Sequence, residues 1–326
     1  MVPSDDVFSQ DPCVRKQALH DYSELLAKDP NSAASDILSF AELLKLVVRD
    51  DPDPNVRCTA LSLSQCPVDV LHEALNSSDV EAREAAIRAI SEQPHGQHSK
   101  PLLQHIPLEP NPRILHFALK ALDVLLSHNA VPNNSISRAL GIPPTPNGPL
   151  DAFDCEGVLR ECAEHEEHEV RTATAEVLAT IVAKQEPVAA NEAFFTLEQL
   201  LRDADGRVAI AALCALSRIL PTQHELRLSE KCVRAILVRF SSPSTRADIF
   251  KVLAGFPCKS LKAYAVLQTF VRRRLYKIAS GIVTTNRELE EVQQGLVEIV
   301  RCNQDFARVL DLRESQSQKM IRLIES

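Results

Sequence analysis

The sequence predicts an all-α protein, a right-handed solenoid of about seven or eight stacked helical hairpins. The first observation behind this prediction is composition. The 326 residues include only 8 glycines and no tryptophan, and aromatic residues make up 4% of the chain. Such a composition favours helices over sheets, because glycine and the aromatic residues mark turns and strands. The second observation is a short motif that recurs along the chain.

The motif consists of an acidic or proline-bearing turn, an apolar residue, an arginine and an alanine-rich amphipathic run. Its copies start, in order, at Asp11 (DPCVRKQAL), Asp53 (DPNVRCTALSL), Asp79 (DVEAREAAIRAI), Glu109 (EPNPRILHFALKAL), His168 (HEVRTATAEVLATI), Asp203 (DADGRVAIAALCAL) and Ser242 (SPSTRADIFKVL). The spacing of the motif arginines centres near the ~40-residue period of HEAT and armadillo repeats. The pattern therefore predicts HEAT/armadillo-like helical hairpins.

Each motif also predicts where a helix begins and which face it buries. The Asp or Pro turn ends one helix, and its side chain caps the next one at the end where the helix dipole favours an acidic group. After Arg207, the residues Ala212, Leu213 and Leu216 follow helical spacing and predict a buried stripe. A single hairpin cannot bury such a stripe alone, so neighbouring hairpins must stack.

The repeats predict three segments. Residues 1–128 carry the N-terminal HEAT-like repeats, and residues 151–326 carry the C-terminal ones. Between them, residues 129–150 (NAVPNNSISRALGIPPTPNGPL) are rich in proline and have little apolar periodicity. This segment is predicted to be a long inserted loop.

The motif arginines have two interpretations. Each one can reach an acidic side chain in a neighbouring turn, which would build a ladder of ion pairs through the repeats. Alternatively, they could form a row that binds phosphate groups. The ladder is favoured, because the arginines recur wherever the acidic turns recur. The structural arginines predicted in this way are Arg15, Arg57, Arg83, Arg171 and Arg207.

The stretch HEEHEVRTATAEVLATI raises the question of a metal centre. A zinc protease motif needs two histidines four residues apart on one helix, whereas His165 and His168 are three apart. A di-iron hydroxylase built on HEAT repeats would place His-Glu pairs just after the motif arginines. The His-Glu pairs of this chain lie elsewhere, so a metalloenzyme is the least favoured alternative. No nucleophile elbow or P-loop is found, and we predict no catalytic, metal or cofactor residues and no enzymatic activity.

A basic cluster near the C-terminal end is the best single candidate for a site. Its members are Arg272, Arg273, Arg274 and Lys277, in the segment KSLKAYAVLQTFVRRRLYK. Two interpretations stay open. The cluster could be functional, as a polyanion site, a partner contact or a nuclear localisation signal, or it could be the solvated face of an amphipathic helix, which is favoured. Three consecutive arginines spread over most of a helical turn, so at least one must lie near the apolar face.

Composition also bears on the remaining classes of function. The net charge of −8 argues against direct, sequence-specific nucleic-acid binding, which needs clustered Lys and Arg. The nine cysteines form no CxxC pair and fit a reducing intracellular compartment. The N-terminal residues lack the apolar run of a signal peptide, and no apolar run is long enough to predict a membrane span.

Residues 164–310 contain an ordered series of features: EVRTATAEVLATI, RVAIAALCALSRI, a polar PTQHELRLSE, and a long stretch that begins at CVRAILVRF. In this order the features resemble the helical array of Integrator complex subunit 4. Within that stretch the positions that correspond to the family are Ser242, Arg246, Cys258, Ser260 and Lys262. The proline that the family has before Asn286 and Arg287 is missing here.

The resemblance implies a nuclear, non-enzymatic scaffold. Members of that family position an RNA endonuclease and its paralogue during snRNA 3′-end processing, and the resemblance extends to contact with an inositol polyphosphate at positions it does not specify. Family members are longer, with a β-rich C-terminal region, so we expect a divergent short form, a fragment or a truncation. The alternative within binding proteins is a generic HEAT adaptor in transport or other complex assembly.

Overall fold

A computed structural model describes residues 5–28, 34–64, 66–142, 157–219, 226–279, 294–299 and 301–303. Within these ranges the regular structure is helical, and β geometry is limited to one parallel bridge between Leu228 and Cys258. The chain divides into two units, Met1–Val158 and Leu159–Ser326. The predicted all-α, HEAT/armadillo-like class is therefore confirmed.

The first unit is built from helices that pack in two rows. Its helices are α1 (Pro12–Lys28), α2 (Ala34–Asp50), α3 (Pro54–Ser62), α4 (Val68–Leu75), α5 (Val80–Glu92), α6 (Ser99–His105), α7 (Pro112–Ser127) and α8 (Asn133–Ala139). Helices α1, α3, α5 and α7 carry the motif arginines and pack against one another in that order. Helices α2, α4 and α6 lie against α3, α5 and α7, which gives the predicted hairpins.

The second unit repeats this plan. Its helices are α9 (Val158–Ala163), which starts at the boundary, α10 (His168–Lys184), α11 (Pro187–Leu200), α12 (Gly206–Arg218), α13 (Glu230–Val238), α14 (Arg246–Gly255) and α15 (Leu261–Ala279). Helices α10, α12 and α14 form the row that carries the arginines, while α11 packs on α10 and α13 packs on α15. Residues 294–299 are helical as well.

The turn residues start the helices as their chemistry requires. The side chains of Asp53, Asp79, Asn111 and Asp205 each accept a hydrogen bond from a backbone N–H in the first turn of the following helix. Pro54 occupies the first turn of α3, where a missing N–H costs nothing. Each cap of this kind contributes roughly 1 kcal/mol to stability.

Small side chains hold the rows close together. Ala86 of α5, Ala118 of α7 and Ala212 of α12 are completely buried at helix contacts. Leucine, isoleucine and valine fill the rest of both cores, as the alanine-rich motifs predict. Among the described helices, none combines the length and the apolar character that crossing a bilayer requires.

The prediction of an inserted loop over residues 129–150 is wrong over Asn133–Ala139, which form α8. Ile136, Ala139 and Leu140 are buried, so this short helix covers apolar surface of the first unit. Pro132 precedes the helix instead of interrupting it, since proline is tolerated at a helix start. Residues 143–150 of the predicted loop lie outside the described residues.

Candidate functional site

The motif arginines make a repeated set of contacts. Nε and Nη2 of Arg83 donate to the carboxylate of Glu109 at 2.8 and 3.0 Å, and Nη1 donates to the carbonyls of Ser77 and Ser78. Arg15 forms the same fork with Asp51, at 2.8 Å for both bonds, and also reaches the carbonyls five and six residues before it. The guanidinium thus joins its own turn to the turn that starts the next motif helix.

The acceptor carboxylate sits at a fixed place in the next turn. Asp51, Glu109 and Asp203 each lie two residues before a helix cap, and each also accepts the backbone N–H of that cap. Arg171 completes the set with bonds to Asp203 at 2.7 and 3.1 Å. A carboxylate bound by a guanidinium fork and an amide is well satisfied, so these pairs tie consecutive repeats together.

Two of the five predicted structural arginines depart from this geometry. Arg57 donates through Nη2 to the cap residue Asp79 at 2.7 Å, because Ser77 occupies the position where the other repeats have an acid. Arg207 donates to its own cap, Asp205, and its side chain is 69% exposed. Of the five predicted structural arginines, four therefore reach the next motif turn, and Arg207 does not.

The pair between Arg83 and Glu109 is the most buried of the set. The Glu109 side chain is fully inaccessible, and that of Arg83 is 10% exposed. Burial alone would raise the pKa of Glu109, but hydrogen bonds from Arg83 and from the Asn111 N–H outweigh it and hold the pKa below its usual value. The neighbouring His105 is also buried, and burial lowers its pKa.

The histidines and glutamates of HEEHEVRTATAEVLATI form a helix start. His165 Nδ1 accepts the Glu167 N–H, and the His165 carbonyl accepts a bond from Arg171 at 2.6 Å. His168 is the first residue of α10. Across the described part of the chain, no three His, Cys, Asp or Glu side chains are grouped so that they could hold a metal ion.

Buried cysteines offer no reactive thiol. Burial raises the pKa of Cys66 to about 12, and it raises the pKa of Cys162 and of Cys258 to about 12 as well. A nucleophilic cysteine needs a lowered pKa, because the thiolate is the reactive form.

The arginines of the basic cluster lie in two different environments on α15. Arg272 and Arg273 of α15 are exposed, as a solvated or binding face requires. Arg274 instead lies over two aromatic rings, with its guanidinium carbon 4.1 Å from the Phe240 centroid and 5.3 Å from the Phe270 centroid. The side chain of Lys277 lies outside the described residues. Arg274 is therefore anchored on the apolar boundary, where at least one of the three arginines was expected.

A groove lies between α13 and α15 beside this cluster. It has a volume of about 980 Å³. Its apolar lining residues, called the floor below, are Leu237, Val238, Ala265, Val266 and Phe270. Its basic lining residues are Arg234, Lys262, Arg273 and Arg274. Glu230 is the only acidic residue among the described side chains that line it, and it is paired with Arg234 at 2.8 Å.

The sequence pointed to the arginines of α15 but not to the groove. Lys262 precedes the triple arginine by almost three helical turns, and Arg234 belongs to a different helix. Helical periodicity could have placed Lys262 on the same face as Arg273, since eleven residues are close to three full turns. Nothing in the linear pattern shows that α13 packs against α15.

Comparisons with known proteins identify the fold. No protein-family model matches the chain, and no curated protein matches it. Among solved structures, 98% of the chain is similar to the karyopherin Kap121p bound to the extreme C-terminus of the phosphatase Cdc14p, with a TM-score of 0.59 and 13% identity. A structure of the interaction between cadherin and beta-catenin matches 99% of the chain, with a TM-score of 0.53 and 16% identity.

The fold is HEAT/armadillo-like. The chain spans 36% of the karyopherin chain and 65% of the chain in the cadherin and beta-catenin structure. At these identities the likeness shows the architecture alone, because unrelated functions share helical-repeat folds.

Proposed function

We propose that this protein is a non-enzymatic scaffold that binds other proteins. The observation that carries the proposal is a pair of large apolar side chains on the outer face of α11. Val188 is 66% exposed and Phe195 is 53% exposed, and the two lie two helical turns apart on one face. Exposed aromatic and aliphatic side chains that share a helix face are typical anchors of a protein interface.

The repeat architecture supports the same proposal. Stacked hairpins offer extended surfaces, and proteins with these repeats commonly bind partners along them. The structural neighbours fit this view, since one is bound to the C-terminus of a phosphatase and the other concerns the contact between cadherin and a catenin.

The test is capture of partners by the intact chain and by a matched variant. Tagged protein is incubated with nuclear extract and cross-linked, and the recovered proteins are quantified. We expect Val188→Asp with Phe195→Asp to lose at least one specific partner, while Glu186→Ala with Gln199→Ala, which leaves the apolar pair intact on the same helix, retains it. Recovery of the same proteins in equal amounts by both variants would contradict the role of α11.

At a finer level, we propose a nuclear assembly subunit of the Integrator type, which rests on the ordered resemblance over residues 164–310. The partners are then an RNA endonuclease and its paralogue, and a further ligand is an inositol polyphosphate. Co-purification of the endonuclease pair at stoichiometric levels is the expected result. Recovery of transport or coat proteins without that pair would favour the generic adaptor instead.

Metal analysis separates the scaffold from the remaining enzyme alternative. The purified protein is expected to contain less than about one tenth of a metal ion per chain, because a di-iron or zinc enzyme binds its metal near stoichiometry. Stoichiometric iron or zinc that survives dialysis would contradict the scaffold proposal.

A further inference from the structure

We propose that the groove between α13 and α15 binds an acidic amphipathic helix of a partner protein. This inference rests on the proposed scaffold function and assigns one surface and one chemical class of partner to it. The partner helix would lay an apolar face on the floor of the groove and direct carboxylates toward its basic side chains, a common mode of peptide recognition.

The floor of the groove is apolar and open to solvent. Val238 at the end of α13 is 76% exposed, while Leu237, Val266 and Phe270 are half-buried. Side chains of this size gain binding energy when a partner covers them, at about 25 cal/mol for each Å² of apolar area removed from water. The aromatic ring of Phe270 is held in place by its contacts with Phe240 and Arg274, so it is already ordered before a partner arrives.

Charge selects an acidic partner. Among the described side chains that line the groove, four are cationic, namely those of Arg234, Lys262, Arg273 and Arg274, and one is acidic, that of Glu230. Arg272, which is exposed, extends the positive charge along the same helix. The whole chain carries a net charge of −8, so this local excess of positive charge runs opposite to the rest of the molecule. Complementary charge of this kind speeds association and selects partners by charge.

The dimensions suit a short helix. Lys262 and Arg273 lie about 17 Å apart along the axis of α15, at 1.5 Å per residue, which corresponds to about three helical turns. A partner helix of that length presents apolar residues at positions i, i+4 and i+7 to the floor. Its flanking glutamates then lie within reach of Lys262 at one end and Arg273 at the other.

The experiment uses three fluorescein-labelled 14-residue peptides and the full chain. The first peptide has leucines at i, i+4 and i+7 with glutamates on the flanks, the second replaces each glutamate with lysine, and the third has the composition of the first in an order without helical periodicity. Fluorescence polarisation at low and physiological salt measures binding. We expect saturable binding of the first peptide, weakened by salt, and affinities at least about tenfold lower for the other two.

Variants of the protein locate the site. Lys262→Glu with Arg273→Glu should weaken binding of the first peptide about tenfold or more, and Val238→Asp should do the same by removing an apolar contact. The control Lys184→Glu with Lys251→Glu makes the same change in net charge at exposed lysines outside the groove, and it should bind within about twofold of the parent. Thermal unfolding confirms that each variant is folded. If Lys262→Glu with Arg273→Glu does not fold, Lys262→Gln with Arg273→Gln is used in its place.

Two results would overturn the inference. Equal binding of the aperiodic acidic peptide would assign the arginines to a simple polyanion contact. Unchanged binding by the groove variants would mean that the peptide binds elsewhere. The partner-capture experiment described for α11 is repeated with the groove variants. If they recover every partner that the parent recovers, the groove inference fails while the scaffold function stands.

Discussion

In three repeats, those of Arg15, Arg83 and Arg171, a single arginine connects three parts of the structure. In Arg83 the guanidinium binds two carbonyls of its own turn and the carboxylate of Glu109, which in turn holds the N–H of the next helix cap. One side chain therefore fixes the end of one turn and the start of the next motif helix. Arg207 lies at the equivalent position of another repeat, but it does not bond with the next motif turn and its side chain is exposed.

Arg83→Met is expected to lower the free energy of unfolding by about 3 kcal/mol or more, because it leaves the carboxylate of Glu109 buried without its partner. Urea unfolding monitored by circular dichroism measures the change. Arg207→Met is the matched control, since it makes the same substitution at the same place in a repeat, and it should have a much smaller effect. Equal destabilisation by the two variants would contradict a structural role for the cross-repeat bond.

Protonation of His98 is expected to make stability depend on pH. Burial, with the neighbouring His72 and His95, lowers the pKa of His98 to about 4, whereas the unfolded chain titrates near the usual value of 6.5. Between these values the unfolded state binds more protons, so the free energy of unfolding is fully retained above pH 6.5 and falls as the pH drops toward 4. The loss amounts to about 3 kcal/mol at most.

Urea unfolding at pH 7.0 and pH 4.5 tests this expectation. His98→Leu should show a smaller difference in stability between the two pH values than the parent does. His20→Leu, at an exposed position of the same unit, should keep the full difference. If the stability difference between the two pH values is the same in the parent and in His98→Leu, groups other than His98 cause the acid sensitivity.

At the scale of the elements, helices begin where their caps predict but meet at places that the caps do not specify. Asp53, Asp79 and Asp205 lie at the helix starts that the motifs indicate. The helix over residues 294–299 shows the other case, because Gly295 lies against the ring of Phe250 in α14. No pattern in the linear sequence brings these two residues together.

Gly295→Ala is expected to destabilise the protein by about 1–3 kcal/mol. An added Cβ would lie 2.3 Å from the Phe250 ring, and this overlap outweighs the usual preference of a helix for alanine over glycine. Gly206→Ala is the control, since a Cβ there meets nothing within 4 Å and should leave stability unchanged or slightly higher. Thermal unfolding of both variants measures the difference, and Phe250→Leu should partly rescue Gly295→Ala. Equal stability of the two glycine variants would show that the helix can move away from Phe250.

At the scale of the whole molecule, each repeat contacts its neighbours in the row of its own unit, so the effects of distant substitutions should be independent. Arg83 bonds with Glu109, Ser77 and Ser78, while Arg171 bonds with Asp203, His165 and Glu166. These two sets belong to different units and share no member.

The double variant Arg83→Met with Arg171→Met should therefore lose the sum of the two single losses within about 0.5 kcal/mol. A double-mutant cycle by urea unfolding measures the coupling. A much larger coupling energy would mean that the two sites interact energetically, although they share no bonding partner.

The sequence alone determined the class of fold and the starts of the motif helices. Each of these depends on local chemistry: low glycine content, capping side chains, and helical spacing of alanine and leucine. Sequence also excluded the zinc motif at His165 and His168, because ligand spacing on a helix is a local property.

Tertiary structure decided everything that depends on which helices touch. Part of a proline-rich segment folds as α8, because Ile136 is buried against apolar surface of the first unit. Tertiary structure placed Arg274 over the ring of Phe240, while Arg272 and Arg273 stay exposed. It also brought Lys262 and Arg234 together with Arg273 and Arg274 in one groove. Side chains from different helices combine only through packing, and packing partners are not encoded in any one segment of the chain.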